Sequence, residues 1–176
     1  MDVTFRRLAH ADLRMLHGWL NQPSVVRWWE GDDVSWQAVV HDYGTPSGDS
    51  TEHWIASLGG QDVGWIQCWA TADEPDEVKP WWARGVDRRA AGIDYLVGDP
   101  TNRGRGLGSA LIRAFVADVV FGLHPHWVQA GAAPQVRNVA SWRALEKAGF
   151  RFLGIYDHPK VGPCRLMVAD RPQDPR

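Results

Sequence analysis

Hydrophobic and polar positions change their period several times along this chain, and each change marks an element. Val3 to Leu8 alternates as a half-buried strand does. From Asp12 to Leu20, residues Leu13, Leu16, Trp19 and Leu20 share one helical face. Ser35 stands where it can cap a helix running to Tyr43. Two strand-like runs, Thr51 to Leu58 and Val63 to Ala70, flank the hairpin signal Gly59-Gly60-Gln61-Asp62. Residues 71–89 read as a long polar loop. Ala91 to Val97 is an apolar strand, residues 106–121 a helix and Trp127 to Ala130 a strand. Asn138 to Ala148 reads as a helix closed by Gly149, and strands follow near 150–156 and 163–168. Antiparallel hairpins followed by a βαβα run predict an α+β fold. Neither a repeat nor a linker interrupts the series, so one domain over residues 1–170 is expected, with a loose tail at 171–176.

Composition narrows the function classes. With 44% hydrophobic residues in 176, the chain can bury a core and is no disordered tail. A formal net charge of −2 argues against nucleic acid as the main partner. No apolar run is long enough to span a bilayer, and the N-terminus lacks a signal peptide's apolar core. Cys68 and Cys164 are too few for a disulfide framework. Neither they nor the histidines show metal-ligand spacing, so no metal is expected; His10, His17, His41 and His53 read as structural or surface residues. A reducing cytoplasm, a small-molecule partner and a monomer or weak dimer fit this composition.

The stretch Arg103-Gly104-Arg105-Gly106-Leu107-Gly108 carries the chemistry. Glycines at alternate positions let a ligand approach the backbone. The helix that follows turns its N–H groups and positive dipole end toward the same space. Two arginines complete a cradle for phosphate or pyrophosphate. Spacing separates the known kinds of cradle. Ser109 and Ala110 follow Gly108, so the lysine of a nucleoside-triphosphate loop is missing. The acid that a dinucleotide fold places about 20 residues on is missing too.

Arg103, Gly106 and Gly108 match the pattern Arg/Gln-x-x-Gly-x-Gly/Ala, which resembles the acetyl-coenzyme A loop of the GNAT acetyltransferase superfamily. The segment from Asn138 through Ser141, Leu145 and Gly149 to Phe150 is similar to that superfamily's C-terminal motif. The resemblance implies a mixed central sheet and acetyl-coenzyme A as cosubstrate. It implies that the coenzyme is held by Leu96, Val97, Arg103, Gly104, Arg105, Gly106, Leu107, Gly108, Ser109 and Asn138. The backbone of Leu96 and Val97 would pair with the pantetheine arm, and an N–H there would face the oxyanion.

A closer resemblance covers residues 3 to 168. The run from Trp19 through Trp28, Trp29 and Glu30 to Asp33, and Trp81-Trp82 followed by Gly92-Ile93-Asp94, look like aminoglycoside 6′-N-acetyltransferases. Siderophore-pathway acyltransferases share part of the pattern. The resemblance implies that Asp94 contacts the acceptor amine as its base, with Trp28, Trp29 and Tyr43 lining the acceptor pocket. Four positions depart from it. Lys79 and Lys160 stand where the family has acids. Ala132-Ala133-Pro134 replaces an Asp-Pro-Ser-like turn, and Leu145 replaces a tyrosine associated with the leaving thiolate.

The residues alone support the same chemistry. An ammonium must lose a proton before its nitrogen can attack a thioester. Asp94 lies in an apolar strand nine residues before Arg103, where Ile93 and Leu96 can raise its pKa. Eleven tryptophans are many for this length, and two pairs adjoin acidic runs: Asp32 and Asp33, then Asp73, Glu74, Asp76 and Glu77. Aromatic faces beside carboxylates suit a cationic acceptor, and Asp87 can add to that field. Trp19, Trp54, Trp65 and Trp142 read as packing residues. The expected activity is acetyl transfer to an aminoglycoside 6′-amine. Transfer to another amine, such as a siderophore precursor or polyamine, and acyl-coenzyme A binding without turnover stay open.

Overall fold

Seven strands pair into one mixed sheet. The computed structural model describes residues 1–29, 31–44, 50–102 and 104–173. Along the chain run β1 (Val3–Arg7), α1 (Leu13–Leu20), α2 (Pro23–Val26), α3 (Trp36–Gly44), β2 (Glu52–Leu58) and β3 (Gln61–Ala70). Then come α4 (Pro75–Trp82), β4 (Ala90–Val97), α5 (Leu107–Phe115), β5 (Gln129–Ala132), α6 (Val139–Ala148), β6 (Arg151–His158) and β7 (Gly162–Asp170). The strand order is β1-β2-β3-β4-β5-β7-β6. Among the described residues only β4 with β5 is parallel, and their register covers just Ala90 to Gly92 against Gln129 to Gly131. Beyond Gly92 the two strands part.

The turn between β2 and β3 is Gly59-Gly60, with φ of 59° and 81°. A two-residue hairpin turn of this hand needs positive φ at both positions, which glycine adopts without strain. Strand alternation divides the core between the two faces of the sheet. On one face Ile55, Trp65 and Leu96 pack with Leu13, Leu16 and Leu20 of α1 and Val39 of α3. On the other, Trp54, Ile66 and Ile93 pack with Leu111, Ile112 and Phe115 of α5 and Leu145 of α6. A third cluster joins Val78 and Trp81 to Tyr156 and Leu166.

Several sequence expectations change. Residues 71–89 are no open loop, because a 3₁₀ turn at Thr71–Asp73 and the helix α4 occupy half of them. Pro75 presets the first helical φ, Asp76 and Glu77 favour the N-terminal dipole end, and Val78 and Trp81 turn inward together. Pro80 also lies inside this helix. The short α2 also lacked a periodic signal. The expected helix over 106–121 is α5 continued by a π-helical stretch, Val116–Phe121, that turns Val116, Val119, Val120 and Phe121 to the core. The strand expected over Trp127 to Ala130 lies at Gln129–Ala132, because Trp127 is taken up in the core before the strand begins. Arg171, expected in a loose tail, is fixed: its guanidinium donates to the carbonyls of Phe121, His124 and Trp127. Residues 174–176, with Glu30 and Arg103, lie outside the described residues. Among the described residues, no helix is long and apolar enough to cross a membrane.

Candidate active site

The register of β3 with β4 sets the site. Gln67 stands opposite Asp94, and Trp69 opposite Gly92. Side chains two apart on a strand share a face, so Trp65, Gln67 and Trp69 line up beside Asp94. Gln67 Nε2 donates to Asp94 Oδ2 at 2.8 Å, and Trp69 Nε1 donates to the same oxygen at 3.2 Å. Glycine at 92 makes the second bond geometrically possible. A Cβ there would lie 2.3 Å from the Trp69 ring.

Asp94 forms the floor of an open cleft of about 340 Å³. The Asp94 side chain is exposed to water in the cleft, although protein atoms crowd around it. Desolvation pushes its pKa up from the ordinary value, opposed by the bonds from Gln67 and Trp69. Glu77 and Asp32 push it further up by repulsion. An acceptor that displaces cleft water strengthens the first cause. The carboxylate is thereby a better proton acceptor than a solvated aspartate.

Trp28, Trp29 and Tyr43 line the same cleft, and so does Asn138, expected at the coenzyme. Trp65, assigned to packing, is buried against α1 yet also reaches the cleft wall. Its ring meets Tyr43 at 5.5 Å and Trp29 at 6.4 Å. Burial drives the Tyr43 pKa upward, so it stays a neutral phenol. Trp28 already faces two guanidiniums, Arg27 at 4.8 Å and Arg137 at 5.7 Å.

The second tryptophan pair divides. Trp81 lines an adjoining, wider pocket of about 670 Å³ and donates to the Tyr156 hydroxyl at 2.9 Å. Trp82 faces away and carries Arg88 on its ring at 4.3 Å. Glu74, Asp76 and Glu77 line the wider pocket. Asp73 and Asp87 are engaged elsewhere, by the backbone N–H of Ser50 and by Arg89. Lys79 lies on Asp76 at 2.6 Å, outside both pocket walls, whereas Lys160 lines the wider one. Leu145 is fully buried in the core, so its side chain offers the cleft nothing.

The glycine loop divides by role. Gly104 and Gly106 have φ of 74° and 81°, and nothing lies within 4 Å of where a Cβ would stand. Gly106 is the N-cap of α5. Backbone N–H groups there can meet an anion without a side chain intervening. A Cβ at Gly108 would instead point at Ala144 and Val97, at 3.7 and 3.8 Å, so only its backbone is available to a ligand. Leu107 is buried, Arg105 is exposed, and Ser109 Oγ donates back to Gly106 O at 2.9 Å. Asn138 accepts from Ser141 N at 3.3 Å as the cap of α6. Leu96 and Val97 end β4 beyond its register with β5.

Sequence reasoning missed Gln67, Trp69 and the pair Tyr95–Ser141, whose hydroxyls lie 2.7 Å apart on the cleft wall. Period-2 alternation in β3 was visible, but its partner and register were not.

A family model for the acetyltransferase (GNAT) domain matches residues 9–158. The chain belongs to the GNAT acetyltransferase family. Aminoglycoside N(6′)-acetyltransferase type 1 of Klebsiella pneumoniae is 34% identical over 174 residues, 97% of this chain and 84% of that protein. The structure of AAC(6′)-Ib with ribostamycin and coenzyme A aligns with a TM-score of 0.85 at 31% identity, over 97% of this chain and 94% of that one. A lysine N-acyltransferase, MbtK, of Mycobacterium sp. is 29% identical over 84% of this chain and 58% of its own length. As a GNAT acetyltransferase the protein uses acetyl-coenzyme A as cosubstrate.

Proposed function

We propose that this GNAT protein acetylates the 6′-amino group of an aminoglycoside, by direct transfer from acetyl-coenzyme A in a ternary complex. The observation that carries the reading is the carboxylate of Asp94, held by Gln67 and Trp69 at the floor of an aromatic, acid-lined cleft. The 34% identity to an aminoglycoside N(6′)-acetyltransferase over 97% of the chain supports the acceptor.

Acetyl-coenzyme A supplies an acyl group already activated as a thioester, with a leaving thiol of pKa ~8.5. The backbone N–H groups at Gly104, Gly106, Leu107, Gly108 and Ser109, with Arg103, Arg105 and Asn138, hold the coenzyme. Leu96 and Val97 offer main-chain groups to the pantetheine arm and an N–H to the developing oxyanion. Asp94 accepts the proton of the acceptor ammonium on the oxygen not occupied by Gln67 and Trp69. Trp28, Trp29 and Tyr43 bind the acceptor by their faces and edges, and Asp32, Glu74 and Glu77 attract its other ammonium groups. With Leu145 buried, the thiolate leaves unprotonated or takes a proton from water. The enzyme acts in the cytoplasm as a monomer or weak dimer.

The likeness to lysine N-acyltransferases favours a second reading, acyl transfer to another amine such as a siderophore precursor or polyamine. A thiol-release assay separates the two. Saturable acetylation of kanamycin with none of its 6′-hydroxy analogue is expected. Equal rates on both reject 6′ selectivity. Turnover only with lysine derivatives or polyamines selects the second reading, and coenzyme binding without turnover on any amine leaves a binding module.

A further inference from the structure

We propose that Glu52, Cys68 and His124 form a binding site for a divalent transition-metal ion, best suited to zinc, that clips β2 and β3 to the loop before β5. The proposal stands apart from the acceptor assignment. Cys68 alternates with Gln67 along β3, so the cluster lies on the sheet face opposite Asp94. The transfer reaction itself remains free of metal.

The donor atoms are already gathered. His124 Nε2 lies 3.2 Å from Glu52 Oε2, and Cys68 Sγ lies 3.8 Å from that same oxygen. All three donor atoms fall within 4.8 Å of one another. Zinc bonds of about 2.0–2.3 Å at tetrahedral angles place ligand atoms about 3.3–3.6 Å apart. The separations of 3.2 and 3.8 Å bracket that range, so small rotations of side chains complete three coordination positions. A thiolate, an imidazole and a carboxylate form a ligand set that zinc takes readily.

The surroundings hold the ligands in place. Arg7 takes the other carboxylate oxygen, Oε1, at 2.6 Å, which leaves Oε2 directed at the cluster. Trp54 Nε1 also donates to Oε2, at 3.3 Å, and this long bond is the one an ion would displace. The His124 ring lies on Trp127 at 4.1 Å, with His126 at 5.8 Å, and its carbonyl accepts from Arg171 at 2.7 Å. Cys68 is buried, while the Glu52 and His124 side chains are 16% and 20% exposed. That opening gives an ion its entry and a water the fourth position. Thiolate and carboxylate together offset the charge of a divalent ion, leaving the single positive charge of Arg7 at the rim, and the thiol proton passes to water on binding. No spacing motif exists because β2, β3 and a distant loop each contribute one ligand.

Cobalt(II) titration of the reduced, metal-stripped full chain tests this directly. Wild type and Cys164→Ser should both develop a near-ultraviolet thiolate-to-cobalt band with visible d–d absorption, and zinc should abolish both bands. Cys68→Ser should lose the near-ultraviolet band, and His124→Ala should weaken binding at least about tenfold. Zinc in hundredfold excess over its Kd should raise the wild-type thermal midpoint by about 5 °C. If Cys68→Ser does not fold, Cys164→Ser against His124→Ala decides the same question. No band in folded wild type at about 1 mM cobalt overturns the proposal. So does a band that survives unchanged in folded Cys68→Ser or His124→Ala.

Discussion

The Trp69 indole lies across Gly92, so close that a Cβ on the glycine would stand 2.3 Å from the ring, while its Nε1 reaches Asp94 Oδ2 at 3.2 Å. Packing and chemistry are therefore linked through one side chain. Gly92→Ala must push the indole away or bend β4. We expect a loss of about 1–3 kcal/mol, the scale of overpacking, together with reduced turnover. Chemical denaturation and steady-state kinetics measure the two effects. Trp69→Ala in the Gly92→Ala background should recover stability but not activity, and strictly additive effects would disprove the coupling.

Asp94→Asn should lower turnover by about 100-fold or more, the scale of lost general-base catalysis, with coenzyme binding intact. Its effect on stability has the opposite sign. Partial desolvation by the surrounding protein raises the folded-state pKa, so between the ordinary carboxylate value and the raised one the native state binds more protons than the unfolded state. Stability contributed by this group therefore falls as pH rises through that window. The asparagine variant escapes this cost. Because water reaches this carboxyl through the cleft, the cost is screened: the variant should melt only slightly above the parent at neutral pH, and the difference should vanish below the ordinary carboxylate range. Thermal melts across pH check this, and a variant less stable than the parent at neutral pH would contradict it.

Gln67→Ala should shift the acid limb of the kcat/KM profile to higher pH. Gln67 bonds to Asp94 and lowers its pKa against the effect of burial. Without that bond the carboxyl holds its proton longer. A profile that drops in height without moving would assign Gln67 to substrate contact rather than to tuning the base.

In the glycine loop, strain and ligand binding can be separated. Gly106→Ala places a side chain at φ 81° and should cost about 1–2 kcal/mol whether or not coenzyme is present. Arg105→Glu leaves the backbone unstrained and should raise the KM for acetyl-coenzyme A about tenfold or more through charge alone. Calorimetric titration of coenzyme A against both variants distinguishes them. Unchanged affinity in the arginine variant would remove that side chain from the cradle.

The sequence by itself determined most of the element series and the chemistry-bearing loop. Local signals suffice for both: the period of apolar positions, Ser35 and Asn138 as caps, and the glycines of the hairpin and the loop at 104–108. The same signals singled out Asp94, because a lone acid in an apolar strand stands out without knowledge of its neighbours. The tertiary structure decided what surrounds it. Gln67 and Trp69 became partners of Asp94 only through the β3–β4 register, and a one-residue slip would turn both away. Packing turned Trp81 toward the acid-lined pocket and Trp82 away from it, though they are adjacent in sequence. Glu52, Cys68 and His124 met for a similar reason: each is unremarkable in its own segment, and only the pairing of β2 with β3 and the docking of a distant loop bring them together. Periodicity records which way a residue faces, while the identity of what it faces depends on long-range pairing that no local window contains.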